Sequence, residues 1–150
     1  MERLRKTLTA LLIGISISAF AQQTGDNLYS LTVNVDELHS NNGILQFSLY
    51  NEDGCFPDEH FKRYYKQLKA KINNNASTIT FENIPEGTYA VNIFHDENNN
   101  GVIDKGWILP VEGLGFSNFT ALNLFNRPNY KKAKFVLKSN KTIKIKIIHM

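Results

Sequence analysis

Every second residue is apolar in several short stretches of this chain, and that alternation limits what it can fold into. Tyr29, Leu31, Val33 and Val35 alternate with Ser30, Thr32, Asn34 and Asp36. Near the other end Ile143, Ile145 and Ile147 alternate with Lys144 and Lys146. A period of two belongs to a strand with one buried face. Ile44 to Tyr50 and Thr78 to Phe81 read as further strands. Thr88 to His95 is apolar on both faces, with Tyr89, Val91 and Ile93 on one side and Ala90 and Phe94 on the other, which predicts a central strand. Turn clusters punctuate these runs at His39–Gly43, Asn73–Ser77, Ile84–Gly87 and Lys138–Asn140. About seven strands and little helix predict an all-β fold, an antiparallel β-sandwich.

Details follow from the same patterns. The five-residue turn at His39–Gly43 predicts that the first two strands form a hairpin. Phe61, Tyr64, Tyr65 and Leu68 fall at i, i+3, i+4 and i+7, which predicts one or two turns of helix. Leu68 to Ile72 alternates as a short edge strand, and Lys132 to Leu137 and Lys141 to His149 read as the closing strands.

The stretch that carries chemistry starts where the central strand stops. Asp96, Asn98 and Asn100 set oxygen-bearing side chains at alternate positions, followed by Gly101, Val102, Ile103 and Asp104. A calcium loop of the EF-hand type uses this spacing: side-chain ligands at 1, 3 and 5, a turning Gly at 6, a backbone carbonyl at 7 and a ligand at 9. On that count the metal-ligating set is Asp96, Asn98, Asn100, Val102 through its carbonyl, and Asp104. The twelfth position, normally a bidentate Glu, is Trp107. Glu112 lies five residues later, and Gly106, Pro110 and Gly113 would fold the segment back to deliver it as the sixth ligand. The competing account is an Asx-rich turn, in which Asn and Asp side chains bond nearby backbone amides. Four alternating acceptors with a β-branched residue after the Gly favour the cation. Hard oxygen donors without clustered His or Cys favour Ca²⁺ over zinc, at the modest affinity of extracellular modules.

Length and charge bound the rest. The 150 residues suit one domain, 22–150, behind a leader at 1–21. Met1 to Lys6 is a basic n-region, Leu8 to Phe20 an apolar run, and Ala19-Phe-Ala21 a cleavage site, which together predict a secretory signal peptide. The apolar run is too short to span a bilayer, so no stable membrane insertion is expected. Export to the periplasm or beyond follows. With 17 Lys+Arg against 14 Asp+Glu the chain is at +3, and loss of three basic residues and one acidic residue with the leader leaves +1. So small a surplus gives nucleic acid no electrostatic footing. The single Cys55 makes no internal disulfide and reads as a small buried apolar residue.

Four segments together resemble a family of bacterial exported proteins called domain of unknown function 2141. They are Gly43–Phe47, Phe81–Val91, His95–Gly101 with Asp104, and Pro110–Asn118. The His-Asp-x-Asn-x-Asn-Gly stretch and the later Pro-x-Glu-Gly-x-Gly-Phe-Ser are its specific part. The Ile-Pro-x-Gly-x-Tyr-x-Val segment is similar to a hairpin of transthyretin-like and carboxypeptidase regulatory-like sandwiches. The resemblance implies a secreted sandwich of transthyretin-like or immunoglobulin-like type and transfers no activity.

No Gly-x-Ser-x-Gly, His-Glu-x-x-His or phosphate-cradling Gly loop is present, so an exported binding or structural module is expected over an enzyme. Its partner would be a protein or a glycan. The alternative is a hydrolase on the long loop 95–118, using His95, Glu112 and Ser117. His95 itself reads as a strand-end imidazole donating to a carbonyl or carboxylate. Asp53, Asp58 and Glu59 read as solvated loop carboxylates, and Phe61, Tyr64 and Tyr65 as core under a loop.

Overall fold

A computed structural model describes residues 27–58, 60–104, 112–123 and 126–149. The leader, Glu59 and Trp107 lie outside the described residues. The strands are β1 (Leu28–Val35), β2 (Ile44–Tyr50), β3 (Lys66–Lys71), β4 (Ser77–Pro85), β5 (Gly87–Asp96), β6 (Leu114–Phe116), β7 (Phe135–Leu137), β8 (Lys141–Lys144) and β9 (Ile147–Ile148). One short helix, α1 (Tyr130–Ala133), precedes β7. Asn129 caps it by accepting from the Lys132 N–H.

The strands form two sheets. One runs β4-β1-β8, the other β3-β2-β5-β6-β9, and β7 pairs with the start of β5. β5 is the long central strand: β2 covers one edge, while β7 and then β6 share the other. All pairings are antiparallel except β1 with β8. The protein is an all-β sandwich.

Alternation puts one set of side chains between the sheets. Leu31, Val33, Leu45, Phe47, Phe81, Val91, Ile93 and Ile145 fill that layer and are closed to solvent. The opposite face of β5 and β2 is buried too. Tyr50, Ala90, Phe94 and Phe116 lie there beneath Phe56 and Phe61 from the segment after β2, and beneath Phe119, Tyr130 and Ala133 from the segment around α1. This second apolar layer explains why β5 is largely apolar on both faces, with Asn92 buried among the apolar side chains.

Four local expectations are corrected. β1 and β2 are not a hairpin, because residues 36–43 carry the chain from one sheet to the other. The predicted helix at 61–68 is absent: Phe61 is buried, Tyr64 and Tyr65 are exposed, and Leu68 lies in β3, a sheet-edge strand as expected. Lys132–Leu137 splits into the end of α1 and β7. The last run is two strands, β8 in one sheet and β9 in the other, with Ile145 at the crossing.

Candidate functional site

β5 ends at Asp96 and the loop begins there. Asp96 is buried, and its carboxylate closes the turn: Oδ1 accepts from Asn100 N at 3.0 Å and Oδ2 from Gly101 N at 2.9 Å. Asn98 Oδ1 accepts from Asn100 N and Asn100 Oδ1 from Val102 N. Gly101 has φ +77°, the left-handed conformation that the sixth position of such a loop demands. Both oxygens of Asp104 take amide protons, Oδ2 from Asn98 Nδ2 at 2.6 Å and Oδ1 from Asn100 Nδ2 at 3.1 Å. These are the bonds of an Asx-rich turn, and they gather Asp96, Asn98, Asn100 and Asp104 into one compact loop. Val102 donates its N–H within the loop, and its side chain is exposed.

Glu112 reaches this loop and is buried. Its Oε1 accepts from Glu97 N at 3.1 Å and its Oε2 from Asp104 N at 3.0 Å, so one carboxylate ties both ends of the loop together. The cause is strand register. β5 and β6 pair Asn92 with Phe116, Ile93 with Gly115 and Phe94 with Leu114. His95 N donates to Gly113 O at 2.9 Å, which continues the pairing. Carried one step on, the register sets Glu112 opposite Asp96. Gly113 and Gly115 have a packing role: a Cβ on Gly113 would lie 2.4 Å from Ile147 Cγ2, and one on Gly115 2.8 Å from Ile147 Cδ1. Their bare backbones let β9 lie against β6.

The residues of the hydrolase alternative are occupied elsewhere. Ser117 is buried, donates to Ala133 O at 2.7 Å and accepts from Val91 N at 2.9 Å. His95 is fully buried and bonds through Nε2 to Asn42 O at 2.9 Å, the strand-end role expected of it. Glu112 binds the two loop amides. Asn118 Nδ2 reaches the carbonyls of Lys132, Ala133 and Lys134, so Ser117-Asn118 dock the end of α1 onto β5.

The expectation for Asp58 is corrected. It is buried, not solvated, and accepts from the backbone N–H groups of His60, Lys62 and Arg63 at 3.2, 2.6 and 2.6 Å. Burial opposes its charge, but these donors outweigh burial and hold the carboxyl below its ordinary value. Cys55 is half-buried against the second apolar layer.

With this geometry in place, comparison with known proteins decides the relationship. A model of the family described as an uncharacterized protein conserved in bacteria, domain of unknown function 2141, matches residues 33–146. The chain belongs to this family. The match runs from the end of β1 through β8 and so includes the whole loop and Glu112. No curated protein and no solved structure matches the chain. Membership in domain of unknown function 2141 therefore brings a relationship without an assigned reaction. Among the described residues no helix is long and apolar enough to cross a membrane.

Proposed function

We propose that this protein is an exported β-sandwich module that binds or displays a protein or glycan partner, with one calcium ion steadying the loop from Asp96 to Asp104. The observation that carries the ion is the convergence of Glu112 on the loop, through Glu97 N and Asp104 N. Asp96, Asn98, Asn100, Asp104 and Glu112, with the Val102 carbonyl, are the ligand set. Asn98 and Asn100 offer amide protons to Asp104. A half-turn of each amide presents its oxygen instead, which is the donor a hard cation takes. Export rests on the basic n-region, the apolar run and Ala19-Phe-Ala21.

The test is calcium titration of the chelator-treated mature protein, followed by Trp107 emission and thermal melting. With Kd on the order of 10⁻⁴–10⁻³ M, calcium at about 5 mM adds roughly 1–2 kcal/mol. The melting temperature rises by several degrees, and Asp96→Ala abolishes the rise. If millimolar calcium moves neither signal, the loop is an Asx turn alone. Export is tested separately: the intact mass of protein recovered outside the cytoplasm corresponds to a chain beginning at Gln22.

A further inference from the structure

The small net charge of the chain hides a strong separation along it. Residues 113–150 carry eight Lys and Arg and no Asp or Glu, whereas residues 22–112 carry thirteen acids against six Lys and Arg. Much of the basic part comes together around the end of α1 and β8. Lys131, Lys132 and Lys134 lie in and beside α1, Lys138 in the turn between β7 and β8, and Lys141 and Lys144 in β8, all of them exposed. Lys144 is paired with Asp36 at 2.6 Å, but Lys134, Lys138 and Lys141 have no acidic partner among the described residues.

An open groove of about 360 Å³ lies along this edge, with Ser117, Asn118 and Phe135 on one wall and residues 141–145 on the other. Asn118 ties it to the end of α1 through the carbonyls of Lys132 and Lys134. Lys141 Nζ stands 5.9 Å from the centre of the Phe135 ring. The second wall is a strand with a free side. β8 ends the sheet β4-β1-β8, and among the described residues no strand pairs with its outer edge. Ile145 N donates to Asn34 O, so the backbone groups of Ile143 and Ile145 face β1. Alternation then turns the N–H and C=O groups of Thr142 and Lys144 outward. Side chains alternate as well: Ile143 packs against the inter-sheet core, while Thr142 and Lys144 are exposed.

We propose that the outer edge of β8 takes an extended acidic segment of a partner protein, added as a fourth strand to the sheet β4-β1-β8. This rests on the reading of the protein as a binding module and names the chemistry of its partner. Strand addition draws affinity from free N–H and C=O groups and selectivity from the side chains that flank them. Charge sets the selectivity here. Edge lysines keep a sheet from pairing with a copy of itself, because like charges meet across the new ladder. A second β8 would bring lysine against lysine. A segment with carboxylates beside Thr142 and Lys144, and small apolar residues beside Ile143 and Phe135, meets no such repulsion, and the surrounding lysines attract it. A glycan would use the lysines and leave the backbone edge unpaired, so the free edge favours a polypeptide.

The probe is a capped peptide of about seven residues, a strand's length, alternating Glu and Val. It is titrated into the mature protein at low ionic strength and followed by calorimetry and amide chemical shifts. The peptide binds, and the amides of Thr142 and Lys144 shift most. Replacing every Glu with Lys, or placing Pro-Pro at the centre of the peptide, weakens binding at least tenfold. Lys141→Glu weakens it at least fivefold with the circular dichroism spectrum unchanged. Thr142→Pro, which removes an outward N–H and spares the pairing with β1, weakens it likewise. The proposal is overturned if the Glu–Val peptide does not bind at millimolar concentration, if the Pro-Pro peptide binds as well as it does, or if Lys141→Glu binds as wild type does. A sulfated polysaccharide that binds the groove where the peptide does not would defeat strand addition and leave the binding-module reading standing. The calcium loop is read by its own titration, so its response is independent of either result.

Discussion

Asp58 holds the segment after β2 in place through a single carboxylate. Three backbone N–H groups point at it, and the turn they form sets Phe61 against the ring of Phe94, with centroids 5.3 Å apart. Replacing Asp58 with Asn removes the charge and turns one acceptor oxygen into a donor facing N–H groups. Asp58→Asn should lower stability by about 1–3 kcal/mol, measured by urea unfolding at pH 7. The pH dependence has a definite sign. The folded pKa is depressed, so the stabilisation is complete above the ordinary carboxyl range near 4 and is lost as pH falls through the lower folded value. The gap between wild type and Asp58→Asn should therefore narrow below about pH 4; a gap that stays constant down to pH 2 would count against the carboxylate. This role was not legible in the sequence. Asp58 follows a turn-forming stretch like many loop acids, and only the path of the backbone shows that three amides converge on it.

At the scale of elements, alternation located most strands, but not β6 inside the long loop 95–118, and it located their partners poorly. Ile44–Tyr50 was legible to the residue, because a period of two with a turn on each side leaves little choice. Alternation says which face is buried, not which strand lies alongside, and so the expected β1–β2 hairpin is instead a crossing between sheets. The helical spacing at 61–68 was a coincidence: Phe61 belongs to the second apolar layer and Leu68 to the inter-sheet core. Glu112 was legible as a candidate, but the manner of its delivery was not, since spacing along the chain does not give the β5–β6 register that brings it opposite Asp96. Ser117 shows the same limit. It read as a candidate for hydrolase chemistry with His95 and Glu112, whereas its hydroxyl serves β5 and α1 at once. Ser117→Ala leaves Val91 N without its side-chain acceptor and Ala133 O without its side-chain donor in a buried site. Such a loss costs about 1–3 kcal/mol. The expected result is a lower melting temperature with the calcium response intact, and a variant as stable as wild type would show that the hydroxyl is dispensable.

For the molecule as a whole, the last strands determine whether two sheets become one domain. β8 joins β1 in the first sheet, and within three residues β9 joins β6 in the second. Ile145 sits at the crossing, almost wholly buried, with its N–H bonded to Asn34 O at 2.9 Å and its Cγ2 methyl 3.0 Å from where a Cβ on Gly115 would stand. One side chain thus contributes to the interior between both sheets while the backbone beside it changes sheet. Its truncation removes apolar contacts and opens a cavity that neither sheet can close alone, because both are held by hydrogen-bonded neighbours. Ile145→Ala should cost about 2–4 kcal/mol. Val136, in β7, is the control: it is a β-branched strand residue close in sequence, but 57% of it is exposed. Val136→Ala should fall within about 0.5 kcal/mol of wild type. Urea unfolding of the two variants side by side separates burial at the crossing from general strand propensity. Equal effects would mean that the sheets are held together by the rest of the core and that the change of sheet at Ile145 adds nothing.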